Sequence, residues 1–194
     1  MTKVTTGFGR LSFPSLITPR PAENEGEKPK YEVTFLFPKS DKETLRALKA
    51  AIKTATEEGK SSLWNGRVPA NLRTPLKDGE EKAEDYPEFA GMYYIAARGT
   101  IRPGLVDADL EPVLEASEVY PGRNARIQVS LVPYSHPKGG KGVTAVLKNV
   151  QLAPGGDPLG GSANDAPEVA FGRIESTDAS VDSDLDDDLD DDLL

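Results

Sequence analysis

The chain contains no cysteine. Disulfides, thiolate metal sites and cysteine nucleophiles are therefore excluded. There is one histidine, His136, in Tyr134-Ser135-His136-Pro137-Lys138. A lone histidine in a hairpin loop is more often solvated than catalytic, and it has no second histidine for a metal pair. No run approaches the roughly 18 apolar residues of a membrane span. The segment from Met1 to Gly7 lacks the apolar core of a secretion signal. A soluble protein of a reducing, cytoplasmic compartment is the expectation.

Basic residues are missing from one place above all. The last twenty residues, Glu175 to Leu194, carry ten acids and no base. The whole chain has 23 Lys+Arg against 32 Asp+Glu, a net of −9, so the part before the tail has 23 against 22, a net of +1. A like-charged run of this density repels itself and buries too little apolar surface to fold. Three segments are expected: a folded domain over 1–152, a Gly/Pro/Ala linker over 153–174 and a disordered acidic tail over 175–194. Leucines punctuate the tail. Asp186, Asp187, Asp188, Asp190, Asp191 and Asp192 with Leu193 and Leu194 read as a docking peptide for basic partner proteins, beyond a merely solubilising end.

With 18 glycines and 16 prolines, the body suits short strands and many turns. Strands are expected over 4–17, 31–37, 92–98, 124–134 and 143–152 from period-two patterning. One helix is expected from Ser40 to Glu58. Ser40 and Glu43 form a capping box, Leu45, Leu48 and Ile52 make an apolar stripe, and Gly59 supplies a stop. Residues 60–90 and 99–121 read as irregular connections. A mainly β fold follows: an OB-fold-like five-stranded barrel with one inserted α-helix, or else an antiparallel sandwich.

Catalytic motifs fail on inspection. Gly59-Lys60-Ser61 has Thr54 where a P-loop needs glycine. Gly7-Phe8-Gly9 lacks the third glycine of a dinucleotide fingerprint. Asp107-Ala108-Asp109 has no further carboxylates at useful spacing. No enzymatic activity, metal or cofactor is expected. Basic and aromatic residues do interleave, as in proteins that grip phosphates and stack bases of single strands. The candidates are Trp64, Arg67, Tyr94, Arg98, Arg123, Arg126, Tyr134, Lys138, Lys141 and Lys148. Trp64 beside a turn and Tyr134 at a strand end are expected to be exposed.

Four ordered segments carry a resemblance: Arg10-Leu11-Ser12-Phe13-Pro14-Ser15-Leu16, Lys30 to Lys39, Glu118-Val119-Tyr120-Pro121-Gly122, and Gly142 to Gln151. Together they resemble a family of phage and prophage proteins, formerly a domain of unknown function, regarded as single-stranded-DNA-binding proteins with an OB-fold and an acidic tail. The resemblance spans roughly residues 8 to 161. It implies binding of single-stranded DNA during phage replication or recombination, with replication or recombination proteins as partners of the tail. It fixes no binding residue by motif. The tail ends in Leu193-Leu194, without the terminal aromatic common in such proteins. A homodimer is compatible with the sequence. The rival reading is a non-enzymatic acidic adaptor, a DNA mimic acting through its tail.

Overall fold

In the computed structural model, residues 2–22, 26–137 and 139–159 are described. The chain runs β1 (Thr2–Thr5), β2 (Gly9–Arg20), β3 (Lys30–Pro38), α1 (Lys42–Ser62), β4 (Leu76–Asp78), β5 (Met92–Gly99), β6 (Gly104–Val106), β7 (Asn124–His136) and β8 (Gly140–Leu152). Short 3-10 turns occur at Gly79–Lys82, Pro87–Phe89 and Ala116–Glu118.

Five of the strands close on themselves. β2 pairs β3, β3 pairs β5, β5 pairs β8, β8 pairs β7, and β7 returns to β2. All these pairings are antiparallel except β5 with β8. The ring, with its single parallel seam, is an OB-like barrel, and closure removes the edges of those strands. The sandwich alternative is thereby set aside. β1 extends the sheet beyond β7, β6 lies along β8 and β4 along β5.

Alternation of side chains fills the barrel. Val33, Phe35 and Phe37 of β3, Ile95 and Ala97 of β5, Ile127, Val129 and Leu131 of β7, and Val143, Ala145 and Leu147 of β8 are all buried in one core. The helix adds Leu45, Leu48, Ala51 and Ala55 to that core. It packs against β1, β7 and β8.

The helix differs from expectation at both ends. Asp41 caps it instead of Ser40, accepting from the Thr44 N–H at 2.9 Å. Asp41 thus takes the place expected for Ser40, and the Thr44 hydroxyl accepts the Gly7 N–H at 2.7 Å, tying the helix start to the β1–β2 connection. The helix also runs through Gly59 to Ser62. Gly59 is there for space: a Cβ would lie 2.6 Å from the Trp64 ring. Further differences are local. The first expected strand is two strands, broken at residues 6–8. The connections 60–90 and 99–121 contain β4 and β6. Residues 153–159, expected as linker, are hydrogen-bonded to the barrel, with Asn124 N–H to Gly155 O at 3.1 Å and Leu159 N–H to Pro121 O at 2.8 Å. The tail residues Asp186, Asp187, Asp188, Asp190, Asp191, Asp192, Leu193 and Leu194 lie outside the described residues, as does Lys138.

Candidate nucleic-acid interface

The barrel has one outer face that its own residues leave partly open. On β5 the residues opposite the core-facing Ile95 and Ala97 are Tyr94, Ala96 and Arg98. Their partners on β3 are Leu36, Thr34 and Glu32 in register. At one end this face is covered. The segment 79–90 lays Phe89 over Leu36 and Tyr94, forming a second small core. At the other end the small side chains of Thr34 and Ala96 leave the face open.

Three adjoining clefts occupy the opening. The largest, about 810 Å³, is lined by residues 71–75, Lys77, Lys82, Tyr94, Ala96, Arg98, Tyr134, Val143 and Thr144. A second, of about 260 Å³, lies between Phe13 and Arg98. A third, of about 80 Å³, collects Arg20, Lys28, Lys30 and Arg98 beside Glu27 and Glu32. Arg98 lines all three. It makes no ion pair with a described residue.

The cations of the largest cleft are placed by backbone. Arg73 is clamped to β8: its N–H donates to Lys141 O at 3.2 Å and its carbonyl accepts the Val143 N–H at 2.8 Å. This close crossing needs Gly142, where a Cβ would collide with the Arg73 carbonyl. The Arg73 side chain is left exposed. Lys82 stands over the rings of Tyr94 and Phe89 at 5.3 and 5.7 Å. Its turn is pinned by an ion cluster in which Lys39 Nζ lies 2.7 Å from Asp78 and 3.2 Å from Glu80. Glu80 also accepts the Gly91 N–H at 2.9 Å. The Lys39 hydrogen bond holds the Asp78 carboxyl below its ordinary range. The Gly91 N–H, then Lys39, does the same for Glu80. The Lys39 ammonium is pushed up in return, chiefly by its bond to Asp78. Burial, then the nearby Glu81 charge, raises the Tyr94 phenol, so Tyr94 is neutral, and it stands at the cleft edge as a buried ring beneath Phe89 and Lys82. An aromatic chain continues from it. Tyr94 packs on Phe89 at 5.2 Å, Phe89 on Tyr86 at 5.8 Å, and Tyr86 on Phe13 at 5.3 Å. Phe13 and Tyr86 are exposed.

The expected residues divide. Tyr94, Arg98 and Tyr134 line the cleft, and Lys141 is exposed one residue from the Gly142 crossing. Trp64 is a correction. It is 2% exposed, its indole N–H donates to Tyr134 O at 3.1 Å, and it belongs to the main core. The turn after the helix folds the indole inward onto Gly59, which a turn signal does not reveal. Arg126 is exposed but elsewhere. It donates to Gln151 at 2.8 Å and lies over Phe8 at 5.4 Å. It stands eight residues before Tyr134 on β7, roughly 26 Å away at ~3.3 Å per residue. Arg123 lies over Tyr120 at 5.7 Å, Lys148 lines a separate small cavity with Arg102, and Arg67 is exposed in the turn after α1. None of these four borders the cleft.

Arg73, Phe13, Thr34 and Ala96 were missed. Arg73 sits in a stretch without periodicity, and Thr34 and Ala96 matter by being small. Lys77 and Lys82 stood in a charged loop that composition alone marks as solvated. Among the described residues no group of three or more His, Asp or Glu is placed to hold a metal ion, and no helix is long and apolar enough to cross a membrane.

The fold and sequence of the chain have relatives. The single-stranded DNA-binding protein of bacteriophage Enc34, solved in complex with single-stranded DNA, superposes with a TM-score of 0.67 at 29% identity, covering 81% of this chain and 89% of that one. A C-terminal truncation of the same protein gives 0.66 at 28% identity, over 81% and 88%. The gp2.5 single-stranded DNA-binding protein of bacteriophage T7 gives 0.56 at 17% identity over 90% and 96%, a likeness of fold. Putative protein p50 of Acyrthosiphon pisum secondary endosymbiont phage 1 is 31% identical over 164 residues, 82% of this chain and 87% of that protein. The family described as "Enterobacter phage Enc34, ssDNA-binding protein" matches residues 2–184. The chain therefore belongs to the Enc34 family of phage single-stranded-DNA-binding proteins.

Proposed function

We propose that this protein binds single-stranded DNA along the β3–β5 face, without strong sequence preference, and coats exposed strands during phage DNA replication or recombination. The observation that carries the reading is the 810 Å³ cleft, in which Arg73, Lys77, Lys82 and Arg98 share one opening with the half-buried Tyr134 ring. The cations suit phosphates and the Tyr134 ring suits a base. In OB-folds this face and the two loops flanking it take up oligonucleotides. Among the described residues, Lys28 and Lys30 lie at the end of the connection after β2, and Lys141 at the end of the connection after β7. The reading involves no chemical step and no cofactor, and it places the protein in the cytoplasm of a bacterial host.

The test is a titration of labelled oligo-dT and of a duplex of equal length at two salt concentrations. Single-strand affinity is expected to exceed duplex affinity and to fall linearly in log–log form with salt. Equal affinity for both, or no salt dependence, defeats the reading.

The ten acids after residue 174 extend the proposal. Ten carboxylates are drawn to the same cations as the phosphates of DNA, so on this reading the tail competes with DNA for the basic face. DNA then frees Leu185, Leu189, Leu193 and Leu194 for replication or recombination partners. Truncation after Ile174 should raise DNA affinity at low salt, with a smaller gain at high salt as screening sets in. No gain at low salt would leave the tail a solubilising appendage.

A further inference from the structure

The smaller cleft next to Arg98 has features that phosphate binding does not explain. Phe13 sits where the β2–β3 register slips between Ser12 and Ser15. Its φ is 48°. A bulky residue in the left-handed region is uncommon, and the conformation persists only where surrounding structure enforces it. The strain does not serve burial, because the side chain stays 48% exposed. It stands as one wall of a slot of about 260 Å³ whose floor is Thr34 and Ala96, directly paired across β3 and β5. An aromatic wall over a floor of small residues leaves room for one flat heterocycle.

The far end of the slot is chemically unusual. Glu32 and Arg98 are also direct partners in the β3–β5 register. Opposite charges so placed have Cβ atoms about 4.5–5.5 Å apart and ordinarily attract. They form no ion pair. Glu32 Oε1 instead accepts from Arg20 at 3.0 Å. Its second oxygen has no described partner, nor does the Arg98 guanidinium. The slot thus ends in a free acceptor next to a free donor fork.

A carboxylate repels phosphate, and Arg20 meets Oε1, so on a DNA-binding face the second oxygen of Glu32 suits a ligand with N–H groups. An ionised carboxylate only accepts. Guanine alone among the DNA bases presents two adjacent donors, N1–H and the 2-amino group. Its O6 and N7 acceptors also suit an arginine fork. Thymine offers one N–H between two carbonyls. Adenine and cytosine set a ring-nitrogen acceptor beside the amino group, which a carboxylate opposes.

We propose that the slot between Phe13 and Arg98 receives a single unstacked base and that Glu32 makes it select guanine, giving an otherwise tolerant binder one reading position. The inference rests on the DNA-binding face proposed above.

The experiment measures fluorescence anisotropy at one fixed salt with three oligonucleotides: oligo-dT, oligo-dT with isolated guanines, and the same with inosines, which lack the 2-amino group. Isolated guanines avoid self-association of guanine runs. The wild-type protein should bind the guanine oligonucleotide about fivefold more tightly than oligo-dT, the low end for one paired base contact, with inosine losing most of the gain. Glu32→Gln should bind oligo-dT more tightly than wild type, because a repulsive charge is gone, while its guanine ratio falls towards one. Phe13→Ala, and Phe13→Leu which keeps apolar bulk without the ring, should weaken binding to all three, with circular dichroism unchanged. Salt-sensitive oligo-dT binding with a wild-type guanine ratio of one overturns the base pocket and leaves the DNA-binding reading standing. A ratio that survives Glu32→Gln overturns the role of Glu32. Failure of the wild type to bind any of the three overturns both readings.

Discussion

The double variant Arg73→Ala/Lys77→Ala tests the cleft most directly. Both side chains are exposed, and both line the large cleft. Among the described residues, the Lys77 ammonium approaches one carboxylate, Glu81, at 4.0 Å. Neither side chain supports the core, so folding should survive. Each phosphate neutralised on a single strand contributes about 0.7 to the slope of log affinity against log salt. If each residue meets one phosphate, the slope becomes shallower by about 1.4. Between 50 and 200 mM salt that amounts to about a sevenfold difference. The variant's affinity deficit against wild type should therefore be about sevenfold larger at 50 mM than at 200 mM. Anisotropy titrations of labelled oligo-dT at four or more salt concentrations read the slope. Arg126→Ala is the control: it removes a cation at the opposite end of β7, and the slope should stay within error of wild type. A double variant with an unchanged slope would refute the assignment of these cations to phosphates, even if its affinity fell. An Arg126→Ala slope that dropped by about 0.7 would place the strand along the wrong face.

Trp64→Ala should cost about 3–5 kcal/mol of stability by leaving a cavity in the core, measured by urea denaturation followed by circular dichroism. In the wild type, iodide should quench the fluorescence of this single tryptophan poorly, and an accessible indole would contradict the packing on Gly59. The Asp78 and Glu80 carboxyls are held below their ordinary values by the Lys39 cluster and the Gly91 N–H. Their contribution to stability is thus present above those ordinary values and is lost as pH falls through the depressed ones. The Gly91 amide shift should titrate with a midpoint below 4.5, the ordinary value for glutamate. A midpoint at or above it would remove Glu80 as the acceptor that pins the Lys82 turn.

Much of the barrel was legible because burial on one face of a strand imposes period two. Val33, Phe35 and Phe37, and likewise Ile127, Val129 and Leu131, announce their strands and their inward faces without any partner in view. The helix was legible for the same reason at its own period. Its ends were not, because competition among neighbouring caps is settled by contacts. Asp41 caps the first turn at the Thr44 N–H while the Thr44 hydroxyl holds Gly7, and Gly59 leaves the space that the Trp64 ring occupies. The charge asymmetry of the tail is also a property of sequence alone, since it depends on no fold. The candidate site stands at the other extreme. Lys77, Lys82, Arg73 and Arg98 are scattered through a charged loop, an irregular stretch and a strand. Only closure of the β2–β3–β5–β8–β7 ring brings them around one cleft. Trp64 and Arg126 have the right chemistry for DNA, but one is folded into the core and the other is carried to the far end of β7. Local sequence determines which way a side chain points from its own strand. Which side chains then share an opening depends on strand order and register, and those are decided by long-range pairing.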